Sequence, residues 1–356
     1  MSHPKTTRAA ILVEQNAPLV VDEISLPEHL ECGQVLVRVL YSGICGSQLG
    51  EIAGIKGPDK YLPHLLGHEG SGEVLETGQG VRNVRPGDRV VMHWRKGSGS
   101  EAAPAAYQWR GRKLNAGWVT TFNAHAVVSE NRLTKLPPDF DMELAPLLGC
   151  AVTTGFGAMV NTAGLKIGES VVVLGAGGVG LNVVQAAALT TCHPIVAVDI
   201  HDNRLALARE LGATHTINSR GLALDDLAAA IAAAVGPAGA DVVADNTGNT
   251  DLIALAYRIT QPQGRTVLIG VPRADKDITI HSLPLHFGKV LVGTHGGDGD
   301  PTVDIPRYAK LAQAGRLRLA PLVTERYPLT DINTAIERMK NGQSAGRCVI
   351  DMTLMM

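Results

Sequence analysis

The chain has no uninterrupted apolar run of about 18 residues, the least a membrane-spanning helix requires. Its first thirty residues also lack the apolar core of a signal peptide. These absences speak against a membrane-bound or secreted protein, and a cytoplasmic one is expected. Charge of one sign is missing as well: 32 Lys and Arg against 34 Asp and Glu leave a net −2, with no long run of either sign. Neither nucleic acid nor an anionic membrane is therefore expected as a partner. Cysteine is scarce, with Cys32, Cys45, Cys150, Cys192 and Cys348 odd in number and widely spaced. That pattern excludes a disulfide framework and favours thiols used singly, some of them as ligands. Nothing is repetitive or of low complexity. At 356 residues and 45% hydrophobic, the chain has room for two globular domains.

What is present is organised around Val171-Val-Val-Leu-Gly175-Ala-Gly177-Gly178-Val179-Gly180, followed by the helix-like run from Leu181 to Leu189. Four apolar residues predict a buried strand, and Gly175 permits a tight turn. Gly177 leaves no Cβ between the backbone and a pyrophosphate, while Gly180 lets the next helix pack close on the strand. The helix N-terminus then offers free N–H groups to phosphate. Asp199 follows a second strand, Ile195 to Val198. A carboxylate there accepts both hydroxyls of an adenosine ribose and repels the extra phosphate of NADP, so NAD is the expected cofactor. Further strands are predicted over 215–217, 241–244, 266–269 and 290–293. They alternate with helices: Leu224, Leu227, Ile231 and Val235 share one helical face, and Asn203 can cap a helix through Leu211 that Gly212 ends. This is βαβ alternation around a parallel sheet.

Before this middle segment the pattern is short β: Ala10 to Val13, Leu19 to Ile24, and Val35 to Val39 with apolar odd positions. The stretch from Tyr41 to Gln48 reads as a Gly-bearing bend presenting Cys45 from a loop. His68 and Glu69 stand side by side among Gly67, Gly70 and Gly72; alone they read as a surface pair. Cys150 leads into the glycine-rich turn, where it is expected close to the cofactor; alone it reads as a core cysteine. The tail carries a helix from Asp331 to Met339 and a closing strand from Arg347 to Ile350.

Together, Gly43-Ile-Cys45-Gly-Ser47, Gly67-His68-Glu69-Gly70-Ser-Gly72, Gly87-Asp88-Arg-Val90, Gly149-Cys150 and Gly175-Ala-Gly177-Gly178-Val-Gly180 resemble the zinc-dependent medium-chain alcohol dehydrogenases over nearly the whole chain. The resemblance implies an α/β protein: a GroES-like, mostly-β catalytic domain in two pieces, 1–151 and 294–356, around a Rossmann doubly wound NAD-binding domain, 152–293. It implies one catalytic zinc on Cys45, His68 and Cys150, with Glu69 as alternate ligand or neighbour of the ligands. Two thiolates and an imidazole leave such a zinc formally neutral with one position open. The implied reaction passes hydride between NAD and an alcohol or polyol, with Ser47 taking the hydroxyl proton. Thr154 and Val179 are implied nicotinamide contacts, with Val271 at its edge, Arg204 beside the ribose and Arg347 toward the pyrophosphate. The alternative for each arginine is a surface cation. A homodimer or homotetramer is expected.

Three departures from the family stand out. Gly50 occupies the place of a relay histidine, so the proton path must end in water or another group such as His64. Gln48 replaces the usual Asp beside the zinc histidine, and a neutral amide leaves that ring less basic. The stretch 93–118 lacks the four cysteines of a structural zinc lobe, so one zinc per chain is expected. That stretch holds Trp94, Trp109 and Trp118 and reads either as a solvated loop with aromatics packed beneath or as a substrate lid, with Trp94 as pocket wall. A zinc-free quinone or enoyl-type reductase, or a nucleotide-binding protein without turnover, are the alternatives; the Cys45, His68 and Cys150 trio argues against the first.

Overall fold

A computed structural model describes residues 4–355. The chain divides into two compact units, Met1–Cys150 with Asp300–Gly315 and Val323–Met356, and Ala151–Gly299 with Arg316–Leu322. Residues 294–299 and 316–322, which the family resemblance places in the first domain, lie in the second unit. There Thr162 and Thr294 both donate to the Asp298 carboxylate, at 2.9 and 2.7 Å.

In the first unit β1 (Thr6–Leu12), β2 (Val20–Ser25) and β3 (Gln34–Gly43) form at the three β segments of the sequence. Val35, Val37 and Val39 of β3 are all buried, as a period of two requires. Next comes a short helix, α1 (Gly46–Ile52), where the sequence reads as a bend. Gly46 and Gly50 are poor helix formers. The helix holds because the Cys45 N–H donates to the Gln48 side-chain oxygen at 3.0 Å, one arm of a capping box.

The chain continues through β4 (His64–Leu65), β5 (Glu69–Thr77), β6 (Arg89–His93), β7 (Tyr107–Trp109), β8 (Arg112–Leu114), β9 (His125–Ser129) and β10 (Leu133–Lys135). One sheet runs β4-β1-β2-β7-β8; in the other, β10-β6-β5-β3 lie side by side and β9 also pairs with β3. Val37, Val39, Val74, Val90 and Phe122 belong to one apolar core, and Ile11, Ile24, Leu36 and Leu114 to a second. Each such side chain contributes roughly 1.5–3 kcal/mol by leaving water. The cysteine-free stretch 96–117, which reads as flexible, carries the β7–β8 hairpin. The Glu130 carboxylate clamps its start, accepting from the N–H groups of Arg82 at 2.6 Å and of Asn83 and Ser100 at 2.7 Å.

The second unit comprises α2 (Ala151–Gly157), β11 (Val171–Leu174), α3 (Gly178–Leu189), β12 (Ile195–Asp199), α4 (Asp202–Glu210), β13 (His215–Asn218), α5 (Leu224–Val235), β14 (Ala240–Asp245), α6 (Thr250–Ile259), β15 (Thr260–Leu268) and β16 (Val290–Gly293). Its six strands are parallel in the order β13-β12-β11-β14-β15-β16, the doubly wound order whose switch point lies between β11 and β14. Val171 to Leu174 are buried on both faces, as helices on either side of a sheet demand. Two local expectations fail. α4 starts after His201, so Asn203 sits inside its first turn and not at the cap. Leu224, placed on the apolar face of α5, is 41% exposed; Leu227 and Ile231 carry the burial.

The chain returns to the first unit as α7 (Pro301–Gln313), β17 (Val323–Pro328), α8 (Ile332–Lys340) and β18 (Arg347–Asp351). β18 pairs antiparallel with β3 and parallel with β17, completing the larger sheet. No helix among the described residues is long and apolar enough to cross a membrane.

Candidate active site

The first unit brings Cys45, His68 and Cys150 together. Cys45 follows the end of β3 as N-cap of α1, His68 immediately precedes β5, and Cys150 ends the 3-10 turn Ala145–Gly149. The two sulfurs lie 3.9 Å apart, and each residue's ligand atom is within 4.8 Å of the others. His68 Nε2 is buried without a hydrogen-bond partner. These donors fit zinc: tetrahedral bonds of about 2.3 Å to two thiolates set the sulfurs about 3.8 Å apart. An orphaned imidazole nitrogen beside them could supply the third ligand.

The electrostatics point the same way. Cys45 is held well below the ordinary thiol range, first by the hydrogen bond from Cys150 and then, against burial, by the positive Arg347 and His68. Cys150 is pushed well above that range by the same bond, by burial and by the Cys45 charge. Charge on one sulfur thus opposes charge on the other, and a cation between them would favour ionising both. Glu69, fully buried, faces Arg347 with Oε1 3.6 Å from Nε. Two thiolates would balance a divalent metal, and Glu69 balances Arg347.

Arg347, read from the sequence as a pyrophosphate contact, is 3% exposed; its Nη1 donates to the Ile44 carbonyl at 3.1 Å and its Nη2 lies 3.8 Å from Cys45 Sγ. The Glu69 and thiolate charges raise its pKa in spite of burial. Gln48 stands beside His68, its Nε2 meeting Nδ1, and has a second contact that spacing did not disclose: its oxygen accepts from Cys45 N–H. Ser47 is exposed on the first turn of α1. Trp94 stands edge-on to His68, ring centroids 6.4 Å apart, and the Arg95 guanidinium carbon lies 6.0 Å from the Trp94 ring centroid.

In the second unit Gly175 turns at φ 86° and Gly177 caps α3. A Cβ at Gly180 would lie 2.0 Å from the Gly175 carbonyl oxygen, so helix and strand meet there only through glycine. A Cβ at Gly177 would meet nothing, which leaves open space above the helix N-terminus for phosphate. Asp199 accepts from Ala176 N–H at 2.8 Å and His201 N–H at 3.0 Å, and Arg204 Nη1 is 3.6 Å away. Thr154 is buried in α2, Val179 half-buried in α3, and Val271 60% exposed. Asp245, at the carboxyl end of β14, was not singled out by sequence. Its carboxylate fixes the next turn by accepting from the N–H groups of Thr247 and Gly248 at 3.2 and 3.0 Å.

Comparison with known proteins supports both halves. Residues 31–138 match the alcohol dehydrogenase GroES-like domain, and residues 178–314 the zinc-binding dehydrogenase family. The chain is 32% identical over 364 residues to S-(hydroxymethyl)glutathione dehydrogenase of Photobacterium damsela subsp. piscicida, spanning 95% of this chain and 98% of that one. The chain belongs to the zinc-dependent medium-chain alcohol dehydrogenases. Within this family it is also 30% identical to alcohol dehydrogenase class-3 of Cereibacter sphaeroides, over 97% of this chain and 99% of that protein. Among solved structures, benzyl alcohol dehydrogenase of Acinetobacter calcoaceticus superposes with a TM-score of 0.87 at 28% identity, covering 98% of this chain and 99% of the other. The fold is accordingly a GroES-like domain joined to a Rossmann domain.

Proposed function

We propose that this dehydrogenase oxidises a small-molecule alcohol or polyol to an aldehyde or ketone with NAD as hydride acceptor. The observation that carries the reading is the pair of sulfurs at 3.9 Å beside an unpartnered imidazole nitrogen. Cys45, His68 and Cys150 would hold zinc, which supplies a Lewis acid able to bring an alcohol hydroxyl toward neutral acidity. Overall, alcohol and NAD+ give carbonyl, NADH and one proton. Ser47, exposed at the head of α1, takes the hydroxyl proton and passes it to solvent, since Gly50 carries no group to continue the path. Trp94, edge-on to His68, forms a wall that favours apolar or aromatic substituents on the reacting carbon. Arg347 and Glu69 hold charge balance behind the thiolates.

Gly175, Gly177, Gly178, Val179 and Gly180 form the phosphate turn, with Asp199 and Arg204 at the ribose and Thr154 and Val271 toward the nicotinamide. Asp199 selects NAD over NADP by accepting ribose hydroxyls and repelling phosphate. Residues 1–150, 300–315 and 323–356 are taken as the catalytic part, and 151–299 with 316–322 as the cofactor part. The enzyme works in the cytoplasm on a small molecule rather than on nucleic acid or membrane, and as a homodimer or homotetramer. The edge strand β16 supports assembly: near it Leu283, Phe287 and Val290 are 55%, 69% and 40% exposed, an apolar rim on an unpaired sheet edge. A panel of primary alcohols, polyols, cyclitols and sugars, scored for NADH formation, tests the reading. Turnover of at least one class is expected, and none with any, together with quinone reduction by NADPH, would replace it by a reductase.

A further inference from the structure

His68 lies between elements. β4 ends at Leu65 and β5 begins at Glu69, so Leu66, Gly67 and His68 belong to no strand. A ligand on such backbone is placed only as well as its neighbours hold that backbone. Here the holding residue is Thr121. The Leu66 carbonyl accepts from the N–H groups of Thr121 at 3.1 Å and Phe122 at 3.2 Å. The Thr121 side chain then meets the turn on both sides of the ligand. Its hydroxyl lies against Gly67, where a Cβ would come within 2.3 Å of Oγ1, and its methyl lies against Gly70, where a Cβ would come within 2.8 Å of Cγ2. The glycines that flank His68 and Glu69 in the sequence thus make room for one threonine.

Thr121 is fully buried, and so is Ser42 of β3, whose Oγ shares a 2.7 Å hydrogen bond with Thr121 Oγ1 and lies 3.3 Å from the Glu69 carbonyl oxygen. The two hydroxyls therefore bridge the backbone from Gly67 to Glu69, with His68 between. Their platform is itself fastened. Ala10 N–H donates to the Phe122 carbonyl at 2.8 Å and Ala124 N–H to the Arg8 carbonyl at 2.9 Å, which ties this segment to β1. Core packing alone does not ask for threonine at 121, because valine has the same shape. What valine lacks is the bond to Ser42, and it would set a bulkier methyl where Oγ1 now meets Gly67.

We propose that Thr121 is a positioning residue for the metal: its hydroxyl, shared with Ser42, and its methyl set the turn that bears His68, so that Nε2 faces the sulfurs of Cys45 and Cys150. The inference rests on the reading of those three residues as zinc ligands. Thr121 acts through the backbone on either side of His68, where a small displacement moves the imidazole against sulfurs that other segments hold in place.

The test compares zinc affinity, by competition with a chromogenic chelator, and the spectrum of the cobalt-substituted protein between the full-length parent and its variants. Thr121→Val should bind zinc about tenfold or more weakly, with shifted cobalt d–d bands and the thiolate charge-transfer band retained. Thr121→Ser keeps the hydroxyl and should stay near the parent in both. Gly70→Ala sets a methyl against Thr121 Cγ2 and should weaken zinc; adding Thr121→Ser removes Cγ2 and should restore most of the loss. A merely structural role would lower the melting temperature of Thr121→Val while the folded protein kept the parent's zinc affinity and cobalt spectrum, and that result would overturn the proposal. Equal losses from Gly70→Ala with and without Thr121→Ser would also overturn it, and this pair decides the matter should Thr121→Val not fold. A parent that takes up cobalt without any thiolate band would sink the zinc reading and this inference with it, whereas a parent with the band and indifferent variants sinks this inference alone.

Discussion

Replacing Gln48 by Glu should tighten zinc at the thiolate site. Zinc needs the lone pair of His68 Nε2, so Nδ1 must carry the ring proton. Gln48 works against this: with its oxygen accepting from Cys45 N–H at 3.0 Å, its amide nitrogen is the group that meets Nδ1. A donor then faces a donor once metal binds. Turning the amide over relieves that clash only by setting its NH2 against Cys45 N–H. Gln48 is 2% exposed, so water cannot repair either arrangement. An unmade buried hydrogen bond costs about 1–3 kcal/mol, and each 1.4 kcal/mol is about tenfold in affinity. Glu is the same shape and offers oxygen to both partners. Gln48→Glu should therefore bind zinc about 10- to 100-fold tighter, measured by competition with a chromogenic chelator, and its melting temperature should rise more on adding zinc. Equal or weaker affinity at equal folding would refute the reasoning and show that the amide does not oppose the metal-binding tautomer.

Three further outcomes are expected. Ser47→Ala should lose about a hundredfold in kcat while retaining the thiolate-held zinc, because its hydroxyl begins the proton's way out; an unchanged rate across the pH range would make Ser47 a spacer. Asp199→Ser should narrow the preference for NAD over NADP, read as the ratio of kcat/KM values, and a parent that already favours NADP would refute the assignment. His93 is buried between the Arg95 carbonyl and the Thr134 hydroxyl, and burial lowers its pKa to about 4. Its neutral form thus stabilises the fold fully above the unfolded value near 6.5, and that contribution, roughly 3 kcal/mol, is lost as pH falls toward 4. Urea titrations of the parent should show this slope between pH 6.5 and 4, and His93→Asn should flatten it.

The parts legible in sequence are those fixed by local pattern. The buried strand before Gly175, the glycine turn and the second strand ending at Asp199 occupy neighbouring residues whose spacing is itself the signal. Cys45, His68 and Cys150 were legible only as a joint pattern, because nothing in their separate surroundings brings them within 4.8 Å. What escaped depends on tertiary closure. The α1 helix contains two glycines and persists through the Gln48 cap. Arg347 reaches the thiolates because β18 pairs with β3, linking residues 302 positions apart. The loop without cysteines is held by Glu130, a residue with no distinctive neighbours in sequence.

The central claim is that alcohol oxidation here requires zinc on Cys45, His68 and Cys150. Its most direct test is to strip metal from the enzyme with a chelator, follow NADH formation on the best alcohol of the panel, and add zinc back in known amounts while monitoring the thiolate site by a parallel cobalt titration. Activity should vanish with the thiolate-held metal and return in proportion to its reoccupation. Full turnover by protein in which that site is empty would contradict the account.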